Sequence, residues 1–386
     1  MYHILVWIGS ERSSYYYPYA VHFFSKNKMS FDEAVSKAVD VLEREFRVTE
    51  REIKYTPRYV GIEEIPDLSK EFYVAVEFHE HDIIYKPKDL PEDVEKLKKY
   101  RFSFLTYDID MYKGLSEEKE KDLAEALDKA FKVSREVKIY KTYGGYHIRA
   151  KLDREYSFDE LMDLRFKADD YERRHIDMLY HRAGLDFLTN FLFNEKHWKD
   201  LNEMKSYREE EVSLKDLVVQ REIELKIRVP KTYRVINGVE VFIEERKIRL
   251  RGRANMLTKD FVDQLNDVLN RELEPMIREG EKYIDALEKF YRGVFIRRVM
   301  TVLGYGDKLI IIADEDDVGR LIGRKGSLVR EAEKIVGKKI VVTDVERIRY
   351  ETALIINKIL RAVEMLILNN SLNIFSGDPD EKRVFS

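Results

Sequence analysis

The chain has 386 residues, of which 44% are hydrophobic and 37% are charged, and its formal net charge is −4. It contains no cysteine, which excludes disulfides, thiol nucleophiles and zinc sites built on thiolates. We find neither an apolar run of membrane-spanning length nor a signal peptide, so we expect a cytoplasmic protein of two or three domains without a membrane partner. The many Lys and Glu residues are typical of proteins from hot environments.

The first 92 residues predict a small α/β accessory unit. Residues 2–8 and 72–78 have the composition of strands. Between them, Ser30 and Glu33 match a capping box, which predicts that a helix begins there.

The stretch 102–110 predicts a buried strand, because aromatic and β-branched residues fill it up to a charged end. Side chains alternate along a strand, so we expect Asp108 and Asp110 on the same face, about 7 Å apart. Two such carboxylates can bind Mg²⁺ or Mn²⁺, which prefer oxygen ligands. The alternative is a strand that ends in an Asp-rich turn without a metal.

Further elements follow this strand in a regular order. Apolar periodicity, capping signals and the Gly144-Gly145 turn predict a helix at 116–131, a hairpin at 137–152, a helix at 157–173 and a strand at 175–180. In the hairpin, His147 and Arg149 share one strand face. The resulting βαββαβ order predicts an RRM-like sheet with Asp177 on its last strand.

Three short motifs on these elements carry a family resemblance. They are Phe-Leu-Thr-Tyr-Asp108-Ile-Asp110, Gly145-Tyr146-His147 and Ile176-Asp177. In order and spacing they resemble the three motifs of the archaeo-eukaryotic primase superfamily, over roughly residues 95–200. The resemblance implies a divalent-metal-dependent nucleotidyltransferase that carries out template-directed synthesis from nucleoside triphosphates.

The resemblance also implies roles for individual residues. Asp108, Asp110 and Asp177 would hold two Mg²⁺ or Mn²⁺ ions, one at the attacking hydroxyl and one at the triphosphate. His147 would contact the phosphates of the nucleotide, and Gly144-Gly145 would let the backbone approach them. The chain departs from the family in lacking a cysteine-based zinc insertion and a basic residue in the glycine turn.

Several of these residues have other interpretations. His147 could be an ordinary hydrogen-bonded histidine on a sheet face, and Asp177 could pair with a neighbouring arginine. Arg165 is a candidate phosphate ligand or a member of a helix-surface ion pair, and Lys196 is a further candidate phosphate ligand. Three more acids compete with Asp177 as the third metal ligand, namely Asp169, Asp170 and Asp186.

In residues 218–253 apolar and charged residues begin to alternate. This pattern predicts a β-rich region within a catalytic domain that spans 93–275. Asn237-Gly238 is a strong hairpin turn signal. Alternation on the last strand places four cations on one face, namely Lys247, Arg249, Arg251 and Arg253. This basic row suggests a surface that tracks nucleic-acid phosphates, or else cross-strand ion pairs with Glu222 and Glu224. The charged stretch 200–217 before it predicts a helix.

The segment 318–330 reads Val-Gly-Arg-Leu-Ile-Gly-Arg-Lys-Gly-Ser-Leu-Val-Arg and resembles the signature of the KH domain. Elements over 278–345 predict the order helix–strand–strand–helix–helix–strand, which is the type II arrangement. The resemblance implies a loop that clamps single-stranded RNA or DNA, formed by Gly323, Arg324, Lys325 and Gly326. The alternative is a glycine-rich turn between two helices.

The remaining C-terminal patterns are helical. Amphipathic runs at 258–273 and 279–291 predict two helices, and an apolar run predicts a last helix at 350–368. A C-terminal helix and a flexible tail are expected over 346–386.

Together these patterns predict an α+β protein with an RRM-like primase–polymerase core, an N-terminal accessory unit, a basic β-rich region and a C-terminal type II KH domain. The expected function is nucleotidyl transfer on single-stranded RNA or DNA held by the KH domain. Two alternatives stay open. One is an RNA- or single-stranded-DNA-binding protein with an inactive primase-like domain, and the other is a metal-dependent nuclease that uses the same acids.

Overall fold

The computed structural model contains two compact units, Met1–Ser213 and Leu214–Ser386. The residues that it describes are 2–10, 19–48, 72–80, 101–110, 117–166, 171–182, 186, 189–190, 192–200, 203–292 and 301–375. The expected domain boundary near residue 92 and the expected tail from Gly377 lie outside them. The β-rich segment 218–253, which we expected in the catalytic domain, belongs to the second unit.

The described elements of the first unit alternate between two sheets and their helices. In chain order they are β1 Tyr2–Ser10, β2 Tyr19–Ser25, α1 Phe31–Val48, β3 Phe72–Glu80, β4 Phe102–Asp110, α2 Glu117–Val133, β5 Glu136–Lys141, β6 Gly145–Tyr156, α3 Phe158–Arg165, α4 Tyr171–Arg182, β7 Glu195–Asp200, β8 Glu203–Arg208 and β9 Glu210–Glu211.

The first sheet joins strands from both ends of this unit. Its order is β2-β1-β3-β7-β8, and all neighbouring strands are antiparallel. Helix α1 packs on it, burying Ala34 and Ala38 in one apolar cluster with Ile4, Val6 and Val76. The N-terminal strands therefore share a sheet with residues 195–208 instead of forming a sheet of their own.

The predicted N-terminal elements are confirmed. Strands β1 and β3 contain the expected segments 2–8 and 72–78. Helix α1 begins after Ser30, whose Oγ accepts a hydrogen bond from the Glu33 N–H at 3.2 Å, as a capping residue does.

The second sheet has the strand order β4-β6-β5-β9, again antiparallel throughout. Helices α2 and α3 pack against it. Strand alternation gives it an apolar face, whose residues are at most 1% exposed: Leu105, Tyr107, Ile109, Ile148 and Ala150. The other face is polar. The expected βαββα order, including the hairpin at the glycine turn, is confirmed.

Two expected elements are wrong. Residues 175–180, expected as the closing strand of the second sheet, lie in helix α4. A helical turn brings Arg173 within 3.8 Å of Asp177, an i,i+4 ion pair that a strand could not form. The charged stretch 200–217 contains strands β8 and β9 instead of a helix, because β8 pairs along its whole length with β7.

The described elements of the second unit form a sheet, a long helix and a small α/β layer. They are β10 Val218–Glu224, β11 Thr232–Ile236, β12 Val239–Glu244, β13 Lys247–Arg253, α5 Lys259–Tyr291, β14 Thr301–Tyr305, β15 Lys308–Ala313, α6 Glu315–Ile322, α7 Ser327–Val336, β16 Lys339–Asp344 and α8 Tyr350–Phe375.

The helices expected at 258–273 and 279–291 form one helix, α5, with Pro275 inside it. An interior proline costs a helix about 3 kcal/mol. Each buried Leu or Met side chain contributes about 1.5–3 kcal/mol, and the buried stripe of α5 continues past the proline from Leu273 to Met276 and Leu287. Packing of this stripe therefore outweighs the lost hydrogen bond.

The predicted order helix–strand–strand–helix–helix–strand is confirmed from α5 to β16. The sheet order is β14-β15-β16, with an antiparallel first pair and a parallel second pair. The sequence predicts a strand at 294–302; strand β14 begins at Thr301, and residues 294–300 lie outside the described residues. The expected last helix is present as α8. In the part of the chain that is described, no helix combines the length and apolar character needed to cross a membrane.

Candidate active site and nucleic-acid loop

The polar face of the second sheet carries the candidate carboxylates. The register of β4 and β6 places Asp108 opposite His147 and Asp110 opposite Gly145. Since the two aspartates are two residues apart on one strand, both side chains project from the same face, as the sequence predicted. The Asp108 side chain retains 21% exposure, so it lies close to solvent.

His147 lies between two carboxylates. Its Nε2 is 3.5 Å from Asp108 Oδ1, and its Nδ1 is 2.9 Å from Glu209 Oε2. Burial lowers the pKa of His147, but hydrogen bonds with Asp108 and Glu209 outweigh burial and raise this pKa to about 9. The imidazole is therefore protonated at neutral pH, when both of its nitrogens are donors.

The neighbouring cations also act on Asp108. Burial raises the pKa of this carboxyl, but the hydrogen bond and charge of His147, together with the charges of Arg173 and Arg165, lower it below its ordinary value. Asp108 is therefore ionised at neutral pH. The positive charges that act on it are those of the protonated His147 imidazole and of the Arg173 and Arg165 guanidinium groups.

Glu209 fixes the other side of His147. This residue connects β8 to β9, and its side chain is 5% exposed. Arg149 donates from both terminal nitrogens to the two Glu209 oxygens, and also donates to the Leu192 carbonyl at 3.0 Å. Sequence reasoning missed Glu209, because it is the first of three consecutive glutamates and no local pattern distinguishes it.

Asp177 and Arg165 form a buried ion pair instead of reaching a ligand. Arg165 Nη1 lies 2.5 Å from Asp177 Oδ2, and both side chains are 0% exposed. The Asn190 N–H donates to the same oxygen at 3.2 Å. Asp177 is therefore paired with an arginine, which was the alternative to metal binding. Arg165, the predicted phosphate ligand, is its partner. The pair holds α3 against α4.

Asn190 connects this buried pair to the strand of the carboxylates. Its Oδ1 accepts from the Thr106 N–H at 3.0 Å, and its Nδ2 donates to the Phe104 carbonyl at 2.6 Å. Asp177 is thus anchored beside the middle of β4. The sequence motif led to the correct neighbourhood, although Asp177 lies on a helix instead of the expected strand and is paired with Arg165 in this structure.

Gly145 is required by the approach of two strands. A Cβ atom at this position would lie 1.8 Å from the Ile109 carbonyl oxygen, which no side chain can tolerate. The turn closes with a hydrogen bond from the Thr142 N–H to the Gly145 carbonyl at 2.9 Å. Packing against β4 is therefore sufficient to require glycine at 145, and the expected phosphate contact at Gly144-Gly145 stays a prediction.

The expected three-aspartate metal site is not assembled. Among the described residues, no group of three or more His, Asp or Glu side chains is placed to hold a metal ion. Asp108 and Asp110 still offer two carboxylates on one face. That set fits Mg²⁺, which often binds through one or two carboxylates and completes its shell with water and substrate phosphates.

Lys196 belongs to a different sheet from the carboxylates. It belongs to β7 in the first sheet, where it is opposite Glu77 on one side and Tyr207 on the other. Alternation puts it on the same face of β7 as Trp198. Its predicted contact with a nucleotide would therefore have to come from the first sheet.

The loop between α6 and α7 has the backbone that its glycines suggest. Gly323, Lys325 and Gly326 all have positive φ, at 71°, 52° and 77°. A Cβ on Gly323 would lie 2.7 Å from Leu328 Cγ, so glycine is needed there for space as well. Arg324 and Lys325 are exposed, as expected, and the loop therefore presents two cations to solvent.

The basic row on β13 is largely paired with acids. Lys247, Arg249, Arg251 and Arg253 share one face of the strand as predicted. Lys247 lies 3.5 Å from Glu222, and Arg251 lies 2.9 Å from Glu240. Arg249 Nη2 lies 3.1 Å from Glu244. These contacts are the cross-strand ion pairs that were the alternative to phosphate binding. The acids in them are Glu222, Glu240 and Glu244, whereas Glu222 and Glu224 were expected.

Comparison with protein-family models, curated proteins and solved structures finds no match to this chain. The resemblances described above therefore rest on the quoted motifs alone. The function must be argued from the residues and their arrangement.

Proposed function

We propose that this chain is a divalent-metal-dependent nucleotidyltransferase that acts on single-stranded RNA or DNA. The observation that carries the proposal is the register of β4 and β6, which pairs Asp108 with His147 while Asp110 projects from the same face. An ionised Asp108 beside a protonated imidazole, with Asp110 on the same face, forms a site for a cation and for the phosphates that accompany it.

The metal chemistry would belong to Asp108 and Asp110. Bound there, Mg²⁺ or Mn²⁺ would neutralise the triphosphate and lower the pKa of the attacking hydroxyl. His147 would orient the phosphates, because Glu209 holds its Nδ1 and leaves Nε2 directed at Asp108. Arg149 supports this arrangement by holding Glu209.

The second unit would bind the single-stranded nucleic acid. The loop 323–326 presents exposed Arg324 and Lys325 on a backbone held by two glycines. Ile322, Leu328 and Val329 lie half-buried around it and pack on the core of the layer. Cations next to an apolar surface suit a single strand, whose phosphates and bases need different partners.

A second candidate function is favoured by the state of Asp177. With this carboxylate buried against Arg165, the chain offers two acids at the site instead of the three that the primase resemblance implies. A primase-like domain with this deficit could bind nucleotides or nucleic acid without synthesis. The protein would then act as a binder of single-stranded RNA or DNA.

One assay separates these functions from nuclease activity. Purified full-length protein is incubated with 5′-labelled single-stranded or primed RNA and DNA, with Mg²⁺ or Mn²⁺, with and without nucleoside triphosphates. Lengthening that requires nucleotides and metal supports the proposed function, and shortening without nucleotides supports a nuclease. Unchanged substrate, together with a gel shift of the same oligonucleotides, supports the binder.

A further inference from the structure

We propose that Tyr143 and Trp198 form a nucleobase-stacking site beside the Asp108–Asp110 carboxylates. The inference rests on the proposed function for the class of its ligand, a nucleotide. Its basis is an aromatic pair at the tip of the glycine hairpin, with ring centroids 5.7 Å apart and an interplanar angle of 70°.

Tyr143 occupies an unusual position for a large aromatic residue. It lies in the turn between β5 and β6, and 75% of it is exposed to solvent. Gly145, two residues later, is the register partner of Asp110. Since strands in a sheet are about 4.8 Å apart, the turn that carries Tyr143 adjoins the end of β4 that carries Asp110, and we infer that a nucleotide held at the carboxylates reaches the Tyr143 ring.

The hydrogen bonds of residues 190, 192 and 194 place the segment that leads to Trp198 on the polar side of the second sheet. Asn190 binds the backbone of β4, the Leu192 carbonyl accepts from Arg149, and the Asn194 carbonyl accepts from the Glu209 N–H at 2.9 Å. Arg149 belongs to the polar face of the sheet, beside His147. The segment thus runs along that face before β7 carries Trp198 to the hairpin tip.

The surroundings of Trp198 suit a nucleotide. Lys196 lies on the same face of β7, and Lys205 is the register partner of Trp198 on β8. Aromatic rings with neighbouring cations form the usual platform for a base and its phosphate, since every base has a π-face. The edge-to-face contact leaves the exposed Tyr143 ring available to a flat ligand.

Intrinsic fluorescence provides a direct test, because the chain has two tryptophans, Trp7 and Trp198. A Trp7→Phe background makes Trp198 the only indole. We expect nucleoside triphosphates and nucleosides to quench its emission, and inorganic tripolyphosphate to leave the emission unchanged. Tyr143→Ala should weaken nucleotide binding about 5- to 150-fold, the range for loss of one stacking partner, and Tyr143→Phe should keep it.

Tyr350→Ala is the matched control, since Tyr350 is also 75% exposed but lies on α8. The inference is overturned if nucleotides and nucleosides cause no quenching at millimolar concentration. It is equally overturned if Tyr143→Ala binds with the affinity of the parent. The two proposals can fail separately. If quenching depends on the base and on Tyr143 but the protein shows no nucleotidyl transfer, the stacking site is supported and only the proposed catalytic function is contradicted.

Discussion

His147 lies opposite Asp108 on the neighbouring strand, with its Nε2 3.5 Å from Asp108 Oδ1. The histidine is protonated at neutral pH because Asp108 and Glu209 both stabilise its charge. The carboxylate that we assign to metal binding is therefore coupled to a proton in the metal-free protein. Stability and nucleotide chemistry should both depend on this pair.

The pH dependence of stability follows from the pKa of His147, which folding raises from 6.5 to about 9. The folded state binds the proton more tightly, so this contribution is fully present below pH about 6.5 and is lost as pH rises through about 9. It amounts to at most about 3 kcal/mol. Denaturant unfolding in EDTA, followed by tryptophan fluorescence of the first unit, should show the loss, and His147→Asn should remove this part of the pH dependence.

Glu209 should be important for the stability of the first unit. Glu209→Ala would leave His147 and Arg149 without their shared carboxylate, which typically costs about 3–5 kcal/mol for a buried partner. The exposed neighbour gives a matched control, because Glu210→Ala should change the unfolding free energy by less than about 0.5 kcal/mol. Equal effects of the two variants, measured by urea unfolding, would contradict the network.

The buried pair of Arg165 and Asp177 should behave as a structural unit. Each single change, Arg165→Met or Asp177→Leu, removes the closest partner of a buried charge and should cost about 3–5 kcal/mol, while the double variant should cost less than either. The unfolding free energies of the four proteins form a double-mutant cycle. If Asp177→Asn instead kept full stability and lost Mn²⁺ binding, Asp177 would be the metal ligand that the sequence predicted.

The loop 323–326 should contribute two phosphate contacts. Arg324→Asp combined with Lys325→Asp should weaken binding of single-stranded RNA or DNA and reduce the slope of log affinity against log salt by about 1.4, since each contact contributes about 0.7. Aspartate tolerates the positive φ of position 325 better than most residues. Fluorescence anisotropy at several salt concentrations measures both effects.

The matched control for the loop reverses two exposed lysines elsewhere in the same layer, Lys334→Glu and Lys339→Glu. This variant has the same change in net charge as the loop variant. It should keep most of the affinity and the salt slope. If both variants lost affinity and salt slope to a similar extent, binding would depend on the net charge of the protein and not on the loop.

The sequence predicted local elements better than long-range partners. Strand β4, the glycine hairpin and the order from α5 to β16 follow from periodicity and turn residues within short windows. The helix at Asp177 was missed because a six-residue run of mixed polarity is compatible with either period. Pairing with a neighbouring arginine was an alternative for Asp177 from the sequence, but its closest partner, Arg165, lies 12 residues away and became visible only in the structure.

The site itself was predicted in part for the same reason. Alternation on one strand suffices to place Asp108 and Asp110 on one face, and the motif spacing pointed to His147. Glu209 contacts His147 across 62 residues of sequence, and no local pattern encodes that contact. The acids that contact Arg249 and Arg251 are Glu244 and Glu240, and their placement depended on the register of β12, which is fixed only when the sheet forms.

The central claim is tested most directly by replacing the carboxylates. Nucleotide incorporation into a primed single strand is measured with Mg²⁺ or Mn²⁺ for the parent, for Asp108→Asn with Asp110→Asn, and for Asp163→Asn, an exposed aspartate on α3. We predict that the double variant loses incorporation by at least about 100-fold while it keeps its fold and its affinity for the strand, and that Asp163→Asn is unaffected. Incorporation at the parental rate by the folded double variant would contradict the account.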